Sequence, residues 1–178
     1  MDTGLLLLRL VLGSIMAAHG AQKLWGWFKG PGLAGTSGWL ESMGFRPARL
    51  HATVTGVSEL GGGLLLVLGL VTPLGAAAVA GVMIVAIATV HLSKGFFNSD
   101  GGYEFNLLIA AAAISLAIVG PGSYSIDNAL DLSLTGLEWG LVAFGAAVVA
   151  GAGVLAMRKP TPALASEAGT AGEQRKAA

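Results

Sequence analysis

Five stretches of the chain are long, apolar and nearly free of charge: residues 4–22, 52–70, 74–92, 105–119 and 137–157. A helix of ~20 residues crosses the ~30 Å hydrocarbon core of a bilayer, so four of the stretches are full transmembrane spans. The stretch 105–119 is shorter and draws on Tyr103 and Glu104 at its mouth. All six prolines (Pro31, Pro47, Pro73, Pro121, Pro160 and Pro162) fall outside these stretches, as expected where proline marks helix ends. The pattern predicts an all-α membrane protein with five transmembrane helices. The first stretch is read as a retained helix and not a cleaved leader, because it starts with Asp2 in place of a basic cluster and carries Arg9 within the apolar run.

Polar composition agrees. Hydrophobic residues make up 54% of the 178 and charged residues 11%, against roughly 45–50% and 25% in soluble domains. The formal net charge is zero, which offers no basic surface for a nucleic acid. Cysteine is absent, so disulfides, thiolate metal sites and thiol relays within this chain are excluded.

The basic residues are distributed unevenly. Lys23, Lys29, Arg46 and Arg49 lie between the first and second spans, Lys94 between the third and fourth, and Arg158, Lys159, Arg175 and Lys176 after the fifth. The connections on the other side carry Asp2, Asp127, Asp131 and Glu138 and no base. The positive-inside rule then predicts the N-terminus outside and the C-terminus in the cytoplasm. Residues 23–51 read as an interfacial loop containing a short helix over 36–43 that Gly44 ends. Residues 158–178 are too poor in apolar side chains to fold alone and read as a disordered cytoplasmic tail.

Ionisable groups at membrane depth are the first place to look for chemistry, because burial there is costly. Arg9 and Glu59 are two such groups. Arg9, Gly13, Met16, Gly20 and Lys23 share one stripe of the first helix, while Glu59 shares a face of the second with Thr55, Gly62 and Gly63. The stripes suggest an intramembrane ion pair between Arg9 and Glu59, separated by about 10 Å along the membrane normal at 1.5 Å per residue. A purely structural role for both is the competing reading. A second group, His19, Lys23, His91 and Glu104, gathers at the cytoplasmic ends of the helices, with Glu59 above it. Nine of the twelve aromatic residues lie at the same end, among them Trp25, Trp27, Phe28 and Trp39.

An aromatic cap over a polar cavity suits a flat amphipathic ligand, with Trp25, Trp27 and Phe28 over its ring. A quinone fits that description, since its head group needs a donor on one side and an acceptor on the other. His19, Lys23, Glu59, His91 and Glu104 are therefore the candidate ligand-binding residues. No metal is assigned, because no pair sits at the helical spacing of a two-histidine motif. Gly61, Gly62 and Gly63 lie mid-helix without a following lysine and serve close packing, not phosphate binding.

His19-Gly20-x-x-Lys23-Leu24, then Glu59-Leu60-Gly61-Gly62-Gly63-Leu64-Leu65 with Gly69 and Pro73, then Gly120-Pro121-Gly122-x-x-Ser125-Ile126-Asp127 resemble, in order and spacing, the DoxX family of bacterial membrane proteins. The resemblance covers about residues 5–128. It implies a four-helix transmembrane core over 1–128; the outer loop and fifth transmembrane helix read over 129–157 lie beyond that core, and the resemblance says nothing of them. It also implies residence in the bacterial plasma membrane and a part in a redox system. Relatives in the family resemble a subunit of a thiosulfate:quinone oxidoreductase or are described as membrane partners of superoxide dismutase and a sulfurtransferase. Carried onto this chain, the family's polar positions are Arg9, His19, Lys23, Glu59 and His91, with Asp127 in the segment that ends the fourth span.

Three functions follow. One is a membrane subunit of a redox complex that binds a quinone or docks soluble redox enzymes, without a reaction that these residues identify. Another is a small transporter or proton pathway, and the third is a scaffold without a ligand. A cavity reaching Glu59 from one side favours the first, one open to both sides the second, and none the third.

Overall fold

A computed structural model describes residues 1–159. Its regular elements are helical: α1 (Asp2–Trp25), α2 (Gly32–Ser42), α3 (Ala48–Leu68), α4 (Thr72–Ala86), α5 (Glu104–Val119), the single turn α6 (Ile126–Ala129) and α7 (Leu137–Ala156). Beyond Ala86, α4 continues through a π-helical turn at Ile87–His91 and a tighter turn at Leu92–Lys94. Among the described residues, four helices are long and apolar enough to cross a membrane: α1, α3, extended α4 and α7. Helix α5 has 16 residues, about 24 Å, and joins the two ends of the bundle. The five predicted spans thus correspond to five helices. The predicted helix over 36–43 begins earlier, at Gly32. Of the predicted tail, 160–178 lie outside the described residues.

Helix ends follow local chemistry. Gly26 and Gly69 adopt left-handed backbone at the ends of α1 and α3, with φ of 74° and 59°, a conformation glycine enters without steric cost. Pro73 stands in the first turn of α4, where its missing N–H leaves no bond unmade.

The closest packing joins α1 to α3. A Cβ at Gly20 would sit 2.4 Å from the Leu60 nitrogen, and one at Gly63 would sit 2.5 Å from the Gly13 oxygen. The glycine stripes read from the sequence therefore let two backbones touch, as small residues do between helices in lipid. Helix α4 packs on α3, α5 and α7, and α7 lies outside against α4 and α5. Leu12, Met16, Leu66, Val79, Met83 and Leu116 fill the core. Outward, Leu7, Val11, Val57, Leu108 and Val149 are exposed, an apolar belt suited to hydrocarbon.

The two ends differ. At one, the residues preceding α3 meet the end of α7: the Lys159 N–H donates to the Gly44 carbonyl at 2.8 Å and Arg158 Nε to the Met43 carbonyl at 2.6 Å. This end carries Lys23, Lys29, Arg46, Arg49, Lys94, Arg158 and Lys159. At the opposite end Arg9, 1% exposed, donates to four backbone carbonyls. Nε reaches Leu66 at 3.0 Å, Nη2 reaches Val67 at 3.1 Å and Tyr124 at 2.8 Å, and Nη1 bonds Pro121.

Asp127 completes this second end. It accepts from the N–H of Val71 at 2.7 Å and of Thr72 at 3.0 Å and from the Thr72 hydroxyl at 2.8 Å, while its own N–H donates to the Gly69 carbonyl at 2.8 Å. It therefore caps α4 from across the sequence. The expected Arg9–Glu59 ion pair is not formed. The C-terminus of α3 carries partial negative charge, so a guanidinium is drawn to its Leu66 and Val67 carbonyls, and Glu59 pairs elsewhere.

Candidate ligand-binding site

A cavity of about 370 Å³ opens at the basic end of the bundle. It reaches from Met16 to Lys23 on α1, from Val54 to Glu59 on α3, and into α4, α5 and α7. The helix repeat explains the wall on α1: Met16, His19 and Lys23 fall on neighbouring rows of one face. On α3, Thr55, Ser58 and Glu59 do the same.

In its wall, Lys23 Nζ donates to Glu59 Oε2 at 2.5 Å. The glutamate side chain is 4% exposed and the lysine 21%, so the pair has a dry end and an open end. A hydrogen bond between two charged groups is stronger than one between neutral groups. Oε1 of Glu59 has no hydrogen bond among the described residues and faces a cavity whose wall is otherwise largely apolar. The arrangement leaves an acceptor on the carboxylate and two donors on the ammonium.

His91 completes the polar set from α4. Its Nδ1 lies 2.7 Å from the Gly101 carbonyl. A carbonyl can only accept, so Nδ1 carries the proton and, in the neutral ring, Nε2 is an acceptor. His91 closes the π-helical turn, a feature frequent at functional sites. In the same turn the Thr89 hydroxyl donates to the Val85 carbonyl at 2.7 Å, a side-chain bond that competes with the regular ladder. His19 also lines the cavity, from an exposed position on α1. Asn106 lines it from α5, its amide against Met83 Sδ at 3.4 Å.

Four of the five candidate ligand-binding residues, His19, Lys23, Glu59 and His91, therefore share one cavity. Glu104 does not line it. Its Oε2 accepts from the Asn98 N–H at 2.9 Å, because the first residue of α5 faces the preceding turn and satisfies a donor there. The expected aromatic cap is corrected too. Trp25, Trp27 and Phe28 are 57%, 59% and 69% exposed and lie against one another in tilted and edge-to-face pairs, with centroids 5.3 and 6.5 Å apart, outside the cavity wall. Gly26 turns the chain away after α1, and Phe28 and Lys29 continue at φ of 51° and 62°. The tryptophan that lines the cavity is Trp39. Ser58 is a lining residue that sequence reasoning missed, although it lies one position from Glu59 and three from Thr55 on the same helix.

The profile of the DoxX family matches residues 4–92, a span that contains Arg9, His19, Lys23, Glu59 and His91. Segment 120–127 and α7 lie beyond it. The chain is 31% identical over 130 residues to "Inner membrane protein YqjF" of Escherichia coli strain K12, covering 73% of this chain and 94% of that one. It is 34% identical over 126 residues to "Putative oxidoreductase CatD" of Bacillus subtilis strain 168, covering 71% and 86%. No solved structure matches the chain at a significant level. With the profile spanning half of the sequence, both relatives matched along most of their length and four helices long enough to cross a bilayer, this chain belongs to the DoxX family of multi-pass membrane proteins.

Proposed function

We propose that the protein is the membrane component of a redox system and binds a quinone, or a similarly flat amphipathic molecule, in the cavity at the basic end. The observation that carries this is the Lys23–Glu59 pair in the wall of a largely apolar cavity, its carboxylate buried and one carboxylate oxygen without a hydrogen bond among the described residues. A quinone head offers two carbonyl acceptors and, once reduced, two hydroxyl donors. Lys23 and His19 supply donors, while Glu59 Oε1 and His91 Nε2 supply acceptors. The name of the Bacillus relative speaks for redox work in the family.

The closed opposite end favours a binding component over a transport route. On α1 the cavity wall stops at Met16, and beyond it Arg9 is locked among carbonyls.

Trp39 makes the proposal measurable. Titration of the purified protein with a soluble, tail-less quinone gives saturable quenching of tryptophan emission, which Trp39→Phe largely removes and the double variant Trp25→Phe/Trp27→Phe keeps. Absence of saturable quenching in the wild type, or quenching unchanged by Trp39→Phe, rejects the site.

The basic end faces the cytoplasm in this reading and the membrane is the bacterial inner membrane, the location in the name of the Escherichia coli relative. Nine bases on one side and none in the connections of the other motivate the orientation. Alkaline phosphatase fused to the C-terminus should be inactive, and the same enzyme fused after Asp131 should be active. The reverse pattern would invert the topology.

A further inference from the structure

The cavity does not end at the polar groups. Besides Glu59, its wall includes Val54 of α3, Val82 and Val85 of α4, and Ala150 and Val154 of α7. Helices α3 and α4 make their tight contact at Gly62, where a Cβ would lie 3.0 Å from Ala78 Cβ and 3.1 Å from the Gly75 oxygen. One and two turns toward the basic end, Ser58 and Thr55 line the cavity. The two helices thus part just beside Glu59. Helix α7 approaches α4 through Gly81 and Gly151, where added Cβ atoms would lie 3.5 Å from the Ala147 oxygen and 3.1 Å from Ile84 Cγ2. Small side chains bring α7 close without filling the space next to it.

We infer that this is a head-and-tail site. The polar head of a lipid-soluble ligand lies at Lys23 and Glu59, and its single apolar tail leaves between α3 and α4 to lie in a groove bounded by α3, α4 and α7. The inference rests on the head-group reading above and names the substrate class: a ring or comparable polar head bearing one long hydrocarbon or isoprenoid chain. One cavity is lined both by the charged pair and by the alanine and valine side chains of α4 and α7, so a molecule that fills both parts carries a polar group and an apolar one. The volume, about 370 Å³, is near the lower end of ligand pockets, which suits a ring with the first part of one tail and not two acyl chains. Helix α7 is then a wall of the ligand site, with Ala150 and Val154 against the tail.

Two probes separate tail from head: a tail-less soluble quinone and the same ring carrying a decyl chain, both followed by Trp39 quenching in one detergent. Wild type binds the decyl probe at least about tenfold more tightly, as burial of several methylenes requires. Ala150→Phe, at an exposed position that accepts a larger side chain, reduces that advantage below about threefold and leaves affinity for the tail-less probe unchanged. Val149→Phe, on the outer face of α7 at 73% exposure, leaves both affinities at the wild-type value and controls for partition into detergent. A full decyl advantage in Ala150→Phe overturns the tail groove while the head-group site stands. Equal loss of both probes in Ala150→Phe overturns it as well, since the groove would then not be specific to the tail. If the tail-less quinone fails to bind the wild type, the head-group reading falls and the tail groove with it.

Discussion

Arg9→Met melts in detergent about 10 °C or more below the wild type, the largest loss expected from any single polar substitution outside the cavity. The guanidinium ties the ends of α3 and the segment after α5 together through four carbonyls. Hydrogen bonds to a charged partner contribute about 1.5–3 kcal/mol each, and the bonds to Leu66 and Pro121 are buried. Even with half of that offset by relaxation, several kcal/mol remain, and each corresponds to roughly 2–4 °C in a chain of this size. Arg9→Lys recovers only part, because a compact ammonium cannot reproduce the planar fork that reaches Leu66, Val67, Pro121 and Tyr124 together. Arg9→Met combined with Glu59→Gln is additive, since the two side chains share no partner. A melting point within about 2 °C of wild type for Arg9→Met would show that the carbonyl cluster does not hold this end. Strong coupling to Glu59 would restore the ion pair that the structure lacks.

That contrast shows how much of the molecule can be read from residue types alone. The spans are legible because a bilayer imposes a single demand, ~20 apolar residues with internally satisfied backbone, and 4–22 or 137–157 meet it without reference to anything else. The inward stripe of α1 is legible for a similar reason, since the helix repeat places Arg9, Gly13, Met16 and Gly20 together and all four are buried.

Partners are harder. Arg9 is held by backbone oxygens, and a carbonyl has no sequence identity to search for. Lys23 lies fourteen residues from Arg9 on the same stripe, about 21 Å along the axis, and nothing in the stripe says which cation stands level with Glu59. That depends on the crossing of α1 and α3 at Gly20 and Leu60.

Loops are harder still. Trp25 and Trp39 both read as caps over the cavity, yet a left-handed residue at Gly26 sends the first outward while α2 places the second in the wall. Glu104 is acidic and at the correct end, but its first obligation is a neighbouring N–H. The apolar groove beside α7 left no mark in the sequence at all, because alanine and valine read the same whether they face lipid, a neighbouring helix or a ligand.

The cavity's own energetics give the second large effect, and they separate folding from binding. Lys23→Met leaves the Glu59 carboxylate facing an apolar space without its cation, and breaking one side of a buried pair costs about 3–5 kcal/mol. Glu59→Gln removes the charge that holds Lys23 in the cavity; it is milder, because the lysine is partly exposed and can turn outward. The double variant Lys23→Met/Glu59→Gln regains most of the stability lost in Lys23→Met, since replacing both members of a buried pair is often neutral. Its melting temperature should lie within about 5 °C of wild type. Ligand binding follows the opposite rule. A quinone head that uses the lysine as donor and the free carboxylate oxygen as acceptor loses both at once, so the double variant binds the tail-less quinone at least about a hundredfold more weakly despite folding well, two charged contacts being absent. Thermal melts and Trp39 quenching on the same four proteins decide the matter. Strictly additive melting losses would show that Lys23 and Glu59 are not coupled, and wild-type affinity in the well-folded double variant would show that the pair holds the helices together and touches no ligand.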